Sequence, residues 1–350
     1  MYITDLRSIS PQKTYTNEFL KGELVHHDGI IFNVTEPDYM ELIPRGLLRR
    51  MGKAVRMGVG TGLPLIQNNK NIDGILMGTA NGGLENCIDF LNQIVEYDEG
   101  MLTPTNFVQS TPNAIAGQLA LMDQNRGYNT TYTNGGHAFE NTLLDALMLF
   151  EEGNAKKLLI GGIEEISNYN YNIDFLADHY KEVAVGNFDL IDSLTKGSVC
   201  GEGSNMFIVE SAASEYYAKI EDVEQLTFPK EKDIELCINS ILERNSIQHS
   251  DIDTLMLGMN GDIDHNIWYE HVSEKLLPNT NVLTFKHLVG EYRTCTSFAV
   301  WLAAHILNGE TTFMSSIEKR KIDNKPIQHI LIYNHFDEVN HSFILLKKSM

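Results

Sequence analysis

The turn Thr133-Asn134-Gly135-Gly136-His137-Ala138 joins a β-like run, Tyr128–Thr133, to a helical pattern, Ala138–Glu152, and a strand ending in Gly161-Gly162 follows. A strand that turns sharply into a buried helix suits acyl transfer, because the unpaired N–H groups at a helix N-terminus can hold an oxyanion. That chemistry needs a nucleophile at the apex, and here glycines stand where a Cys or Ser would be required. His137 is the one neighbouring group able to move a proton, and its plainer role is a helix-start residue packed under the turn. Cys200 and Cys295 fall inside apolar patterns and read as buried fillers. Glu202, in Gly201-Glu202-Gly203, reads as a structural carboxylate that accepts from backbone N–H groups. Lys286 stands five residues before Glu291 and can pair with it. The His265/His271 and His335/His341 pairs have no carboxylate set at metal spacing, so neither a metal nor another cofactor is expected. Glu151-Glu152 and Glu164-Glu165 read as solvated.

The elements that must hold these groups are drawn from 350 residues, enough for two domains or one domain of two similar halves. At 43% hydrophobic and 21% charged residues the composition is that of a globular protein. No apolar run approaches the ~20 residues of a membrane span. Met1–Asp5 shows no basic segment leading into an apolar one, so no signal peptide is expected. Cys87, Cys200, Cys237 and Cys295 are scattered without a CxxC, which fits a reducing, cytoplasmic setting. A net charge of −20 argues against nucleic acid and anionic membranes as partners. Arg45, Arg49, Arg50, Lys53 and Arg56 are the local exception. They form either a solvated helix face or a docking patch for an acidic partner.

Strand-like and helix-like segments alternate, which predicts α/β layering. Leu47–Gln67 reads as one amphipathic helix, Ile72–Thr79 as a buried strand ending in Asn81-Gly82-Gly83, and Leu84–Tyr97 and Pro112–Asn125 as helices. Lys157–Gly162 and Ser204–Glu210 read as strands. The second half repeats the plan. Asp251-Ile252-Asp253-Thr254-Leu255-Met256-Leu257-Gly258-Met259-Asn260-Gly261 echoes Asn71-Ile72-Asp73-Gly74-Ile75-Leu76-Met77-Gly78-Thr79-Ala80-Asn81-Gly82. Each follows a helical stretch, the second being Lys232–Arg244. Ser297–Leu307 is an apolar helix, and Ile330–Tyr333 takes the place of Leu158–Gly161. A duplicated strand–helix unit predicts two pseudo-repeated halves, 1–210 and 211–350, in an α/β/α/β/α sandwich.

On this layout several motifs fall in a familiar order. Arg50–Arg56 with Gly58, Gly60 and Gly62 is a long helix with a small-residue stripe, and Gly78-Thr79-Ala80-Asn81-Gly82-Gly83 is a glycine-rich turn. Thr111-Pro112-Asn113-Ala114-Ile115-Ala116 opens a helix, and Gly161-Gly162-Ile163-Glu164 closes a strand. Gly197-Ser198-Val199-Cys200-Gly201-Glu202-Gly203 leads into the apolar strand Met206–Val209, and Asn334–Asn340 precedes the last strand, Ser342–Leu346. In order and spacing the chain resembles the β-ketoacyl synthases of fatty-acid and polyketide synthesis, which have the thiolase-like fold.

That resemblance implies a Cys nucleophile and two His residues. It places the nucleophile slot at Gly136, with His137 one residue off; the first His at Asn260, before Gly261; and the second at Glu291, after Gly290. The family's lysine is matched by Lys286. All three catalytic positions are therefore vacated. Gly136 cannot attack, Asn260 cannot shuttle a proton at neutral pH, and Glu291 puts negative charge where an enolate develops it. The glycine loop is altered as well, to Asn334-His335-Phe336-Asp337-Glu338.

The implied role is a ketosynthase-like subunit of the chain-length-factor type. Such a subunit pairs with an active β-ketoacyl synthase as a heterodimer and shapes the pocket for the acyl chain. Met101, Leu102, Phe107, Val108 and Phe139 are expected to face the interface or pocket, with Phe336 at the pocket mouth. An acidic acyl carrier protein would dock on the partner or on Arg49, Arg50, Lys53 and Arg56. The alternatives are an acyltransferase or decarboxylase rebuilt around His137, and a homodimeric acyl-binding protein.

Overall fold

The matched segments Asn71–Gly82 and Asp251–Gly261 fold as the same unit. Gly74–Gly78 and Thr254–Leu257 are strands in which every residue is buried, as expected of strands covered on both faces. The computed structural model describes residues 1–349. In chain order its strands are β1 Tyr2–Ile9, β2 Asp28–Gly29, β3 Ile31–Phe32, β4 Gly74–Gly78, β5 Tyr128–Tyr132, β6 Lys157–Glu164, β7 Val185–Gly186, β8 Cys200–Gly201 and β9 Gly203–Glu210. The second series is β10 Ala218–Thr227, β11 Thr254–Leu257, β12 Asn281–Thr284, β13 Glu318–Arg320, β14 His329–Phe336 and β15 Asn340–Lys348.

The first half orders its strands β5-β4-β6-β9-β1, and the second β12-β11-β14-β15-β10 with β13 added at the edge. In each, the matched strand lies between two parallel neighbours, and two antiparallel strands complete the run. The strands of the two halves are joined into one sheet by the pairing of β1 with β10, at Tyr2–Lys219 and Ile3–Ala218. The fold is thus a pseudo-duplicated α/β sandwich.

The helices are α1 Arg45–Leu48, α2 Lys53–Asn68, α3 Leu84–Glu96, α4 Pro104–Gln109, α5 Ala114–Asp123, α6 Ala138–Glu151, α7 Asn168–Leu176, α8 Glu231–Arg244, α9 Asn266–Glu270, α10 Lys286–Val289 and α11 Thr296–Asn308. The central layer is α6 and α11, each touching strands of both halves. α11 is apolar nearly all round, which only a helix buried on all sides tolerates. Phe139 and Leu143 of α6 meet Phe298 and Trp301 of α11 in the core between the sheets. α2 and α5 cover the outer face of the first half, and α8 that of the second, giving five layers.

Two expectations are corrected here. The helix expected over Leu47–Gln67 is broken: α1 ends at Leu48 and α2 begins at Lys53. The side-chain amide of Gln109 donates to the Arg50 carbonyl and accepts from the Gly52 N–H, taking both backbone groups out of a helical ladder. Glu164 and Glu165 are buried, not solvated. Glu164 accepts from the backbone N–H of Ala80 and Asn81, and Glu165 from that of Ala54, so they pin the loop after β4 and the first turn of α2 to the end of β6. Burial raises both carboxyls to about 7.

Candidate functional site

The glycine turn leaves β5 through a single 3₁₀ turn, Gly135–His137, and enters α6. Gly135 has φ +60°, a conformation glycine adopts without steric penalty. Gly136 is glycine for a different reason. A Cβ built there would lie 2.6 Å from Cβ of Phe336 and 3.1 Å from Cβ of Asn340. The β14–β15 hairpin therefore occupies the place that any side chain at position 136 would need. His137 is buried and tied to the same hairpin: Nε2 donates to the His341 carbonyl at 3.1 Å, and Nδ1 faces the Asn340 amide at 3.4 Å. Desolvation lowers the His137 pKa, which keeps the ring neutral. Both of its nitrogens serve the joint between α6 and β15.

The second half brings Asn260, Lys286 and Glu291 together. Asn260 follows β11, Lys286 opens α10 after β12, and Glu291 follows the Gly290 turn. Glu291 Oε2 accepts from Lys286 Nζ at 2.6 Å and from Asn260 Nδ2 at 2.9 Å. Lys286 is fully buried and also donates to the His335 carbonyl at 3.3 Å. Backbone bonds between Glu291 and both Val199 and Gly201 hold the turn against β8.

Chemically, the ammonium and amide that could stabilise a developing negative charge are already spent on a resident carboxylate. The space beside them, lined by His179, Asn260, Glu291 and Phe336 among others, is about 20 Å³, room for about one water. His335 stacks on Tyr269 at 4.6 Å, and burial holds its pKa well below the ordinary histidine value. Cys200 is buried with its thiol pushed up to about 12, and Cys295 is pushed up by burial too, so neither offers a thiolate at neutral pH. Among the described residues no group of three or more His, Cys, Asp or Glu is placed to hold a metal.

Comparison with known proteins agrees with this layout. The family model for the β-ketoacyl synthase N-terminal domain matches residues 28–187, which contain the Gly135-Gly136 turn. Among solved structures, the ishigamide ketosynthase/chain length factor superposes with a TM-score of 0.75 at 19% identity, covering 99% of each chain. A β-ketoacyl synthase from Burkholderia phymatum STM815 gives 0.81 at 13% identity, over 99% of this chain and 98% of that one. The chain therefore has the fold of the β-ketoacyl synthases. A third relative, a type II polyketide synthase acyl-carrier protein in complex with its ketosynthase bound to the hexaketide, gives 0.73 at 15% identity over 99% of each chain. At these identities the structural likeness establishes the fold. No curated protein matches the chain by sequence.

In this ketosynthase-like chain the expected surface residues divide. Phe107 and Val108, on α4, are exposed, and Phe107 packs on Phe90 of α3 at 5.3 Å. Phe139 is corrected. It is fully buried in the core between the sheets, 6.0 Å from Phe207, and faces no interface. The basic patch is smaller than its sequence cluster. Lys53 pairs with buried Glu202 at 2.6 Å, and Arg56 is bidentate to Glu36 and lies over Tyr39. Arg49 and Arg50 remain exposed beside Arg45.

Glu202 also accepts from the Val34 and Ile166 N–H groups. Sequence reasoning passed over Asn340 and Arg293. The one available signal was Asp337-Glu338, two non-glycine residues in a turn where both take φ above +50°.

Proposed function

We propose that this chain is a ketosynthase-like subunit of the chain-length-factor type, not a condensing enzyme in its own right, that pairs with an active β-ketoacyl synthase. The observation that carries this reading is the double loss at the site. The nucleophile slot at Gly136 is filled by Phe336 and Asn340, and the charge-stabilising groups are consumed by Glu291. A thiolate cannot be restored there by a change of side chain alone, and an enolate would meet a carboxylate. Two of the similar structures, by their descriptions, are a ketosynthase with a chain length factor and a ketosynthase with its acyl-carrier protein, which supports a partnered role in polyketide, polyene or fatty-acid synthesis.

In this role the chain contributes surface. Leu91, Val95, Met101, Phe107 and Val108 are exposed apolar residues on and between α3 and α4, and β5 is the open edge of the sheet in the same half. We assign this side to the partner ketosynthase. An acidic carrier would meet the partner, or Arg45, Arg49 and Arg50, a local cluster of exposed cations on a chain of net charge −20. No observation favours a catalyst rebuilt around His137, whose nitrogens are both engaged.

The test is co-expression with a ketosynthase that has an intact Cys-His-His set, followed by purification and challenge with an acyl thioester. A 1:1 complex is expected, with condensing activity above that of the ketosynthase alone and acyl mass found only on the partner. A stable acyl adduct on this chain purified by itself, or a homodimer that ignores the ketosynthase, overturns the reading.

A further inference from the structure

The turn bearing Glu291 continues into Arg293, and Arg293 ties together segments that are far apart in the chain. Its guanidinium is bidentate to Asp174 of α7, both bonds 2.8 Å, and its Cζ lies 4.7 Å over the Phe336 ring. His179 extends the cluster outward, its Nδ1 3.9 Å from Asp174 and its Nε2 3.5 Å from Asp337. Tyr180 adds a hydroxyl bond to Asp174 at 3.4 Å. The cluster sits across the vacated site, between two cavities of about 20 Å³ that share Tyr180, one reaching Glu291 and the other Cys200.

We propose that Arg293 is the centre of a latch that holds the mouth of the vacated site shut against the acyl-thioester arm of a carrier. The geometry gives it two grips. A planar guanidinium meets a carboxylate through two parallel bonds, the form of ion pair in which position is fixed as well as charge. The same cation lies on the face of Phe336, the residue whose Cβ occupies the nucleophile slot. Arg293 is only 20% exposed and Asp174 6%, so water screens the pair little.

The turn that follows carries Asp337 and Glu338 at φ +52° and +54°. Non-glycine residues held there are strained and stay only where the surroundings fix them, which the His179–Asp337 contact does for one. Closure in this form removes the hundreds of cubic ångströms an acyl arm would need, about 300 Å³ at the least for a drug-sized ligand.

The latch deepens the proposed non-catalytic role and rests on it for what is kept out; closure itself can be measured without partner or carrier. The probe is methyl methanethiosulfonate, with modification followed cysteine by cysteine by mass spectrometry. Cys200 lines the inner cavity with Asp174 and Arg293, Cys87 is partly exposed, and Cys237 is buried in the outer core of the second half. In the native chain Cys87 reacts and Cys200 does not. In Arg293→Ala and Asp174→Asn, Cys200 reacts at least ~10-fold faster, because admitted water both exposes the thiol and relieves the desolvation that suppresses its ionisation. Cys237 stays silent, which separates opening from unfolding.

Should Arg293→Ala also expose Cys237, His179→Gln and Asp337→Gly decide, since they remove only the outer link. No gain at Cys200 in those variants, or rapid modification of Cys200 in the native chain, overturns the latch. An acyl adduct on the isolated native chain would instead defeat the functional reading.

Discussion

The two halves of this molecule share a strand order but fill the turns beyond their strands by opposite means. In the first, the turn between β5 and α6 is glycine, and the space a side chain would need is taken by backbone-proximal atoms of Phe336 and Asn340. In the second, the turn between β12 and α11 is filled with charge, Glu291 drawing in Lys286 and Asn260. One closure is steric and the other electrostatic. The lesson is that reverting one position cannot reopen the site, because each half blocks a different requirement of the chemistry.

The electrostatic side should break most expensively. Lys286 is fully buried, and removing it leaves the Glu291 carboxylate uncompensated. Lys286→Met should cost about 3–5 kcal/mol in urea unfolding, and adding Glu291→Gln should return much of that loss, because a neutral pair has no buried charge to satisfy. If the single variant costs under about 1 kcal/mol, the pair is not what organises the second half.

The steric side is weaker but more specific. Gly136→Ala should cost about 1–3 kcal/mol by overpacking against the hairpin. The comparison is sharpened by the partner chosen for rescue. Phe336→Ala keeps the Cβ that causes the overlap and should not relieve it, whereas Phe336→Gly should. Equal rescue by both would show that the ring, and not the Cβ, fills the slot. Thermal unfolding of Gly136→Ala alone and combined with each Phe336 substitution decides it.

The halves also differ in how legible they were. β4, β6, β11, β14 and α11 could be read from sequence because burial on both sides leaves unbroken apolar runs. β1 and β10 gave no such signal. Tyr2–Ile9 and Ala218–Thr227 mix apolar with charged residues, and they become strands through pairing with distant segments, including each other. Gly136, Asn260 and Glu291 could be singled out in the sequence because glycine turns and a lysine mark their places. What packs against them could not be, since the contact between Gly136 and Phe336 spans 200 residues of sequence and depends on the register of the last hairpin. The acidic pair Glu164-Glu165 misled for a related reason. Two adjacent carboxylates look solvated until the loops whose N–H groups they accept are folded against them.

The central helices extend the contrast to pH. α11 is buried with no acidic residue, whereas α6 buries Glu140 completely. Thr296 and Ser342 approach that carboxylate without closing a hydrogen bond on either oxygen, and burial raises its pKa from about 4.5 to about 7. Glu164 and Glu165 are raised to the same range. The sign follows from linkage. Between the unfolded and folded values the native state binds more protons, so stability is full below about pH 4.5 and falls as pH rises through 7. These three carboxyls therefore contribute a loss of stability from about pH 5 to pH 7.5, opposed below about pH 6.5 by buried His287 and His341, whose pKa values are lowered to about 4. Glu140→Gln removes the charge without the volume and should flatten part of that slope, stabilising the chain by about 1–2 kcal/mol at pH 8. A slope unchanged in Glu140→Gln would assign the pH dependence to Glu164 and Glu165, both in the first half, and leave the central layer electrically silent.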